Sequence, residues 1–145
     1  MVKRIPSLAS VMTPFPYSID ADADISEALQ MMAEHEIHHL PVMDGGKLVG
    51  LLWDRDVRVV RALESRLPRE GVAVGTVCNR EPYVAEIGDR LDHVADEIAR
   101  LRVAAAIVMR GDKLAGILTT TDVCRLLART LRDHAQLPED GGDAA

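Results

Sequence analysis

The feature that most restricts how this 145-residue chain can fold is an internal repeat, in which the sequence matches itself at an offset of 66 residues. The match runs without a gap over residues 11–58 and pairs them with residues 77–124. The glycines stay in step, since Gly45, Lys47, Leu48 and Gly50 pair with Gly111, Lys113, Leu114 and Gly116. Such self-similarity indicates a tandem duplication. One unit of about 60 residues would be a marginal fold by itself, so the sequence predicts two units packed as one body.

Each copy begins with the same predicted order of elements. Short extended segments at 17–20 and 83–86 precede helices whose apolar residues follow helical spacing. These apolar residues are Ile25, Ala28, Leu29 and Met32 in the first copy and Leu91, Val94, Ala95 and Ile98 in the second. Asp24, with Glu27 three residues later, has the pattern of a capping box, which predicts that the first helix starts here.

Each copy continues with a predicted hairpin and a closing helix. The strands are predicted at 39–43 and 47–52, and again at 105–109 and 113–118, with glycine-containing turns between them. The closing helices carry an apolar face, formed by Val57, Val60, Leu63 and Leu67 in one copy and Val123, Leu126, Leu127 and Leu131 in the other. The pattern predicts an α/β (α+β) fold of two β-α-β-β-α units related by a pseudo-twofold axis.

The predicted domain boundaries follow the repeat. The first unit spans residues 8–67, a linker 68–76 and the second unit 77–132. A flexible acidic tail is predicted at 133–145, where Glu139, Asp140 and Asp143 contribute half of the net charge of −6.

Composition excludes several classes of function. A chain with a net charge of −6 lacks the basic surface of a nucleic-acid binder. The longest apolar run, 103–109, is far shorter than the ~20 residues that cross a bilayer, so no membrane role is expected. Two cysteines, Cys78 and Cys124, do not form a disulfide scaffold, which favours a cytoplasmic protein with buried, inert thiols.

The segment 116–123 carries the clearest candidate chemistry, because a predicted strand ends and a helix begins there. A helix N-terminus attracts phosphate, and the Thr119 and Thr120 hydroxyls add donors. The Asp122 carboxylate could accept two hydrogen bonds from a vicinal diol such as a ribose. The alternative is that Thr119 and Asp122 form a capping box that only starts the helix. In the first copy Trp53 replaces the threonine, Asp56 remains, and Asp54 is the candidate cap.

The histidines raise a competing interpretation. His35, Glu36 and His39 match the His-Glu-x-x-His zinc-protease signature, which requires one continuous helix through both histidines. Pro41 disfavours helical geometry at Leu40, so the protease interpretation is rejected. Incidental metal binding by His35, His38 and His39 stays open, and no metal site is assigned. With no catalytic constellation in the sequence, the chain is not expected to be an enzyme.

Taken together, the repeated motifs resemble the cystathionine β-synthase (CBS) domain pair, or Bateman module. The motifs are a Val11-Met12-Thr13 start, a His39-Leu40-Pro41-Val42 strand, a glycine turn and a Gly-x-x-Thr-x-x-Asp close, present over roughly residues 8–132. The resemblance implies a regulatory module that needs no cofactor. It implies an adenosyl ligand (AMP, ADP, ATP, S-adenosylmethionine or an NAD-type molecule) in a cleft between the units. It also implies a homodimer that relays ligand state to a separate regulated protein.

The resemblance also assigns candidate ligand-binding residues. In the second unit Thr119 and Thr120 would meet phosphate, Asp122 would hold the ribose, and the base would be lined by Tyr83, Val84, Ala105 and Ile107. In the first unit Asp56 is the ribose candidate, with Arg55 or His38 as phosphate partners.

Two departures from the pattern refine this expectation. Trp53 occupies the first unit's phosphate position, and the second unit has Ala104-Ala105-Ala106-Ile107 where the first has His38-His39-Leu40-Pro41. The cleft at Thr119 and Asp122 is therefore the predicted site, with a nucleoside or monophosphate favoured over a triphosphate. The alternative function is a dimerisation or adaptor module whose clefts are filled by side chains such as Trp53.

Overall fold

The computed structural model describes residues 4–14, 16–63, 66 and 71–135. Leu67, the first three linker residues and residues 136–145 of the predicted tail lie outside the described residues. The domain boundaries therefore stay a prediction.

The two repeats have the predicted order of elements. The first unit contains β2 (Ile19–Asp20), α2 (Ile25–His35), β3 (His39–Asp44), β4 (Lys47–Trp53) and α3 (Asp54–Ala62). The second contains β5 (Val84–Glu86), α5 (Leu91–Leu101), β6 (Ala105–Arg110), β7 (Lys113–Thr119) and α6 (Thr120–Ala135). Three short elements lie outside this pattern, namely α1 (Leu8–Val11), β1 (Thr13–Pro14) and α4 (Val74–Val77). The predicted α/β architecture is confirmed.

The strands form two sheets of matching topology. In the order β2-β3-β4, the first pair is parallel and the second antiparallel, and β5-β6-β7 repeats this arrangement. Each hairpin changes register at the same place, between Val42 and Met43 and between Val108 and Met109. The second sheet has a fourth strand, since β1 pairs antiparallel with β7.

The segments that precede the two units are exchanged between them. Thr13 of β1 lies opposite Ile117 in the second unit. Asn79, its equivalent, pairs with Leu51 in the first unit through two backbone hydrogen bonds of 2.9 Å. The short helices follow the same rule, because Leu8 of α1 packs in the second unit's core and Val74 of α4 in the first unit's core. The repeat had not predicted this exchange.

Helix α2 starts where the sequence predicted, although its cap uses a different partner. The Asp24 carboxylate accepts hydrogen bonds from the Ser26 backbone N–H at 2.9 Å and the Ser26 hydroxyl at 2.6 Å. It also accepts one from the Val72 N–H at 3.1 Å, which ties the helix start to the segment between the units. These bonds, those from Ser26 first, lower the pKa of Asp24. Ser26 therefore takes the place expected of Glu27.

Three clusters of buried side chains hold the molecule together. One lies within each unit, around Leu118 and around Leu52, and both residues are fully buried. The third joins the sheets and consists of Leu51, Ala105, Ile107, Met109 and Ile117, with Trp53 packed against it. Because these members come from both units, the units pack through a shared apolar layer.

The closing helices are less buried than their apolar spacing suggests. Val57 is fully buried, but Val59, Leu63, Leu127 and Leu131 are about half exposed or more, and α6 has no buried residue. Val123 and Leu126 cover the second core only in part. Within the described residues, no helix combines the length and the apolar character needed to cross a membrane.

Candidate functional site

A cleft of about 550 Å³ lies where the two units meet. One wall comes from Pro16, Tyr17 and the α2–β3 connection of the first unit. The other wall is the β7–α6 junction of the second unit. The lining residues are Thr13, Pro14, Pro16, Tyr17, Glu36, Ile37, His38, His39, Ile117, Thr119, Thr120 and Thr121. The cleft therefore exists only because both units contribute to it.

Thr119, which lines the cleft, forms hydrogen bonds with Asp122, which does not. The Thr119 backbone N–H and hydroxyl both donate to Asp122 Oδ2 at 2.9 Å, and the Asp122 N–H donates to Thr119 Oγ1 at 3.2 Å. This reciprocal arrangement is the capping box that the sequence left as an alternative. The box places Thr119 on the cleft wall and half-buries Asp122 one turn into α6.

The next backbone donor of α6 is also engaged. The Thr120 N–H donates to the Ala104 carbonyl at 2.9 Å, which connects the helix to the α5–β6 link. The Thr120 and Thr121 side chains are exposed and line the cleft. Hydroxyl groups are therefore the polar groups that this wall presents.

Two residues of the opposite wall, Tyr17 and His39, make aromatic contacts. Tyr17 stacks on His35 with ring centroids 3.7 Å apart and an angle of 12° between the rings. His39 meets Trp53 edge to face at 4.5 Å. Within the described residues, His39 Nε2 is a buried polar atom that has no hydrogen-bond partner. Burial lowers the pKa of His39, and the neighbouring His38 and Arg55 lower it further against the opposing charge of Asp54, so its neutral form is favoured.

His38 links the cleft wall to helix α3. Its Nδ1 lies 2.9 Å from Asp54 Oδ2, and the Arg58 Nε lies 3.8 Å from the same oxygen. Burial works to raise the pKa of Asp54, but the hydrogen bonds from His38 and the Arg55 backbone N–H, with the Arg58 charge, lower it overall. Arg58 lines a separate hollow of about 270 Å³ behind the wall.

The first unit builds its equivalent junction differently. Trp53 stands at the N-cap of α3 without a side-chain capping bond, and it packs on the apolar layer between the sheets. The Arg55 guanidinium lies 4.6 Å from the Trp53 ring centroid, within the range of a cation–π contact. Asp56 is exposed, with its Oδ1 3.8 Å from the Arg55 Nε. The contact of Trp53 with the apolar layer is the asymmetry that the sequence predicted for this position.

The structure places the candidate residues of the two units in different surroundings. Thr119, Thr120 and His38 line the cleft, and Asp122 is bonded to Thr119. The four base-lining candidates lie outside the cleft lining: Tyr83 packs on the second core, Val84 is exposed, and Ala105 and Ile107 are buried between the sheets. Arg55 and Asp56 belong to the junction at Trp53.

Sequence reasoning missed the residues that face Thr119 across the cleft. Tyr17 and His39 come from the first repeat, whereas the base-lining candidates were taken from the second. The repeat contained a usable signal, since Tyr17 and Tyr83 are equivalent at the offset of 66. Choosing between them required knowing that the N-terminal segments are exchanged, which periodicity within one unit does not reveal.

The histidine and cysteine interpretations have clear structural outcomes. Helix α2 ends at His35 and His39 begins β3, so the zinc-protease geometry is absent. Across the described ranges, no three His, Cys, Asp or Glu side chains are placed to hold a metal ion.

Cys78 is buried, and burial raises the pKa of its thiol. Cys124 is exposed, contrary to expectation.

Comparison with known proteins places both repeats in one family. The family model described as "CBS domain" matches residues 8–61 and 74–129. L-aspartate semialdehyde sulfurtransferase of Methanocaldococcus jannaschii is 26% identical over 128 residues, which cover 87% of this chain and 24% of the relative. The first five curated relatives are matched over only 24–39% of their own length.

Solved structures show the same fold. The CBS domain pair of protein MJ0100, in complex with 5′-methylthioadenosine and S-adenosyl-L-methionine, superposes with a TM-score of 0.72 at 25% identity. That match covers 84% of this chain and 99% of the other. CBSX2 in complex with AMP has a TM-score of 0.71 at 24% identity, covering 87% of this chain and 98% of the other.

Proposed function

Because this chain belongs to the CBS domain family, we propose that it is a regulatory module that binds an adenosine-containing ligand between its two units. The bound state is relayed to a separate partner protein, and the role assigned to the chain is binding rather than catalysis. Support comes from similar CBS domain pairs, whose structures contain AMP or S-adenosylmethionine and 5′-methylthioadenosine.

The observation that carries the proposal is the cleft at Thr119. Its volume of about 550 Å³ suits a nucleoside-sized molecule, since ligand pockets span roughly 300–1,000 Å³. Tyr17 and His39 offer aromatic surface to a base, and the hydroxyls of Thr13, Thr120 and Thr121 offer hydrogen bonds to a sugar. Asp122 is bonded to Thr119 and is not part of the cleft lining, but its Oδ1 forms no hydrogen bond within the described residues, which leaves that oxygen as the proposed partner of a ribose hydroxyl.

The relay follows from where the cleft lies. A ligand there touches β1, the α2–β3 connection and the start of α6 at the same time. It therefore favours the packing of the two units in which both walls are close enough to contact the ligand. A ligand shifts such an equilibrium only by its difference in affinity for the two packings, typically 1–3 kcal/mol.

A second candidate function is an adaptor that acts through homodimerisation alone. Two observations favour it: Trp53 packs against the apolar layer at the first unit's junction, and the exposed Val59, Leu63, Leu127 and Leu131 give α3 and α6 apolar outer surfaces. An exposed apolar helix face is a common site of protein association. Dimerisation is compatible with both functions, so ligand binding separates them.

A thermal-shift screen of AMP, ATP, S-adenosylmethionine and 5′-methylthioadenosine tests the proposal. A ligand at 100 times its dissociation constant adds about 2.7 kcal/mol to the free energy of unfolding, so it raises the melting temperature measurably. Thr120→Trp should abolish the shift, because the indole fills the cleft that Thr120 lines.

Thr130→Trp is the matched control. Thr130 is an exposed threonine on the same helix, and it does not line the cleft. The control should keep the ligand-induced shift. If no compound raises the melting temperature of the unaltered chain, the adaptor function replaces the sensor. If Thr120→Trp responds like the control, the ligand binds elsewhere.

A further inference from the structure

The charges around the cleft distinguish among adenosine-containing ligands. Of the described residues that line it, none is lysine or arginine, and one, Glu36, is a carboxylate. Asp122 adds a second carboxylate immediately beneath Thr119. A phosphate group bound here would therefore face negative charge without a matching cation.

Three of the donors that a phosphate could use at the start of α6 are already engaged. The Thr119 N–H and hydroxyl donate to Asp122, and the Thr120 N–H donates to Ala104. Anion binding at a helix N-terminus depends on free N–H groups and on the positive end of the helix dipole. Here the Asp122 carboxylate already accepts hydrogen bonds at that end of the helix.

The two histidines in the cleft wall, His38 and His39, do not supply the missing positive charge. His38 is bonded to Asp54, and the pair has no net positive charge whichever form the imidazole takes. His39 is held toward its neutral form, because burial lowers its pKa. Two arginines lie nearby but outside the cleft lining. Arg58 lies beside Asp54 and lines the hollow behind the wall, and Arg55 lies against the Trp53 ring.

We infer that the cleft selects an adenosyl compound whose 5′ substituent is a thioether or sulfonium, and that it discriminates against 5′-phosphates. This inference rests on the proposed adenosyl-binding function. A neutral thioether brings no charge to the carboxylates, and a sulfonium is attracted to them. The free threonine hydroxyls suit ribose and other neutral groups.

Isothermal titration calorimetry of the full chain with four adenosyl compounds compares their dissociation constants. 5′-Methylthioadenosine and S-adenosylmethionine should bind at least about tenfold more tightly than AMP, and ATP should bind more weakly than AMP, because each added phosphate increases the repulsion. AMP or ATP binding as tightly as the thioether would overturn the inference and leave the adenosyl function standing. Binding by none of the four would overturn both.

Charge reversal at Glu36 provides a second test. Glu36→Lys should strengthen AMP binding by about tenfold relative to 5′-methylthioadenosine, because it places a cation on the cleft wall. A basic residue fits this left-handed backbone, since Arg102 has nearly the same φ at the equivalent position, 54° against 53°. Glu34→Lys makes the same change outside the cleft lining and is the control. It should alter the ratio of the AMP affinity to the 5′-methylthioadenosine affinity much less. Equal ratios in the two variants would contradict the inference.

Discussion

His39 shows how one residue serves the cleft at a cost to stability. It is the first residue of β3 and lies opposite Trp53 in the register, so its ring is held against the indole. Its Nε2 is buried without a hydrogen-bond partner among the described residues. An unpaired buried polar atom is unfavourable, by about 1–3 kcal/mol.

The lowered pKa of His39 predicts a loss of stability in mild acid. Below the unfolded-state pKa of 6.5, the unfolded chain takes up a proton that the folded ring resists, so the free energy of unfolding falls as pH falls. His39→Phe removes this contribution while keeping an aromatic ring beside Trp53. Urea unfolding at about pH 7.5 and about pH 5.5 should show a smaller pH-dependent loss in the variant.

His39→Gln is a second non-titrating variant and should show the same reduced loss. Both variants keeping the full pH dependence would mean that the acid sensitivity comes from other groups. Asp54 is not one of these groups, because its lowered pKa affects stability only near and below its ordinary value of 3.8.

Among the elements, the exchanged segments depend on two glycines in the central strands. A Cβ at Gly50 would lie 2.2 Å from the Asn79 carbonyl oxygen, and one at Gly116 would lie 2.8 Å from the Thr13 carbonyl oxygen. The two positions are equivalent in the repeat. Glycine is therefore required for close approach of the neighbouring backbone, because any side chain would push the crossing segment away.

Gly50→Ala should destabilise the protein by about 1–3 kcal/mol, because the methyl group meets a backbone carbonyl that cannot rotate aside. Chemical unfolding measures the effect. Gly88→Ala is the control, since a Cβ there meets nothing within 4 Å, and its stability should stay close to that of the unaltered chain. An equal loss of stability in the two variants would show that the backbone at Asn79 can move away from a side chain at residue 50 at little cost.

For the whole molecule, the exchange means that neither unit has a complete core of its own. Leu8 and Met12 complete the second unit, and Val74 and Cys78 complete the first. A third cluster joins the sheets. Disrupting either unit therefore removes packing from the other, and the chain should unfold as one cooperative body.

Leu118→Ala tests this cooperativity across the units. Leu118 is fully buried in the second unit, whereas Trp53, the chain's single tryptophan, lies in the first. The substitution should lower the free energy of unfolding by about 2–5 kcal/mol, and the loss should be visible in Trp53 fluorescence. Fluorescence and far-ultraviolet circular dichroism should report one transition.

Two variants make this measurement decisive. Leu52→Ala, at the equivalent buried position of the first unit, should shift the same transition by a similar amount. Leu131→Ala, in an exposed position, should change it little. If Leu118→Ala leaves the unfolding transition in Trp53 fluorescence unchanged and produces a separate transition in circular dichroism, the units unfold independently.

The sequence by itself determined the duplication, the order of elements and the hairpins. These depend on interactions within a few residues, such as the spacing of Ile25, Ala28 and Met32 or the turn at Gly45, which act the same way wherever the unit is placed. The asymmetry at Trp53 was also readable, because an indole and a threonine differ in size and hydrogen bonding wherever they lie.

Only the tertiary structure decided which unit supplies each wall of the cleft. Tyr17 and Tyr83 are equivalent in sequence, and Tyr17 faces Thr119 because β1 crosses to pair with β7. It also decided that the Thr119 donors belong to Asp122 and the Thr120 N–H to Ala104. The crossing of β1 depends on packing between segments about a hundred residues apart, to which local periodicity and turn chemistry are insensitive.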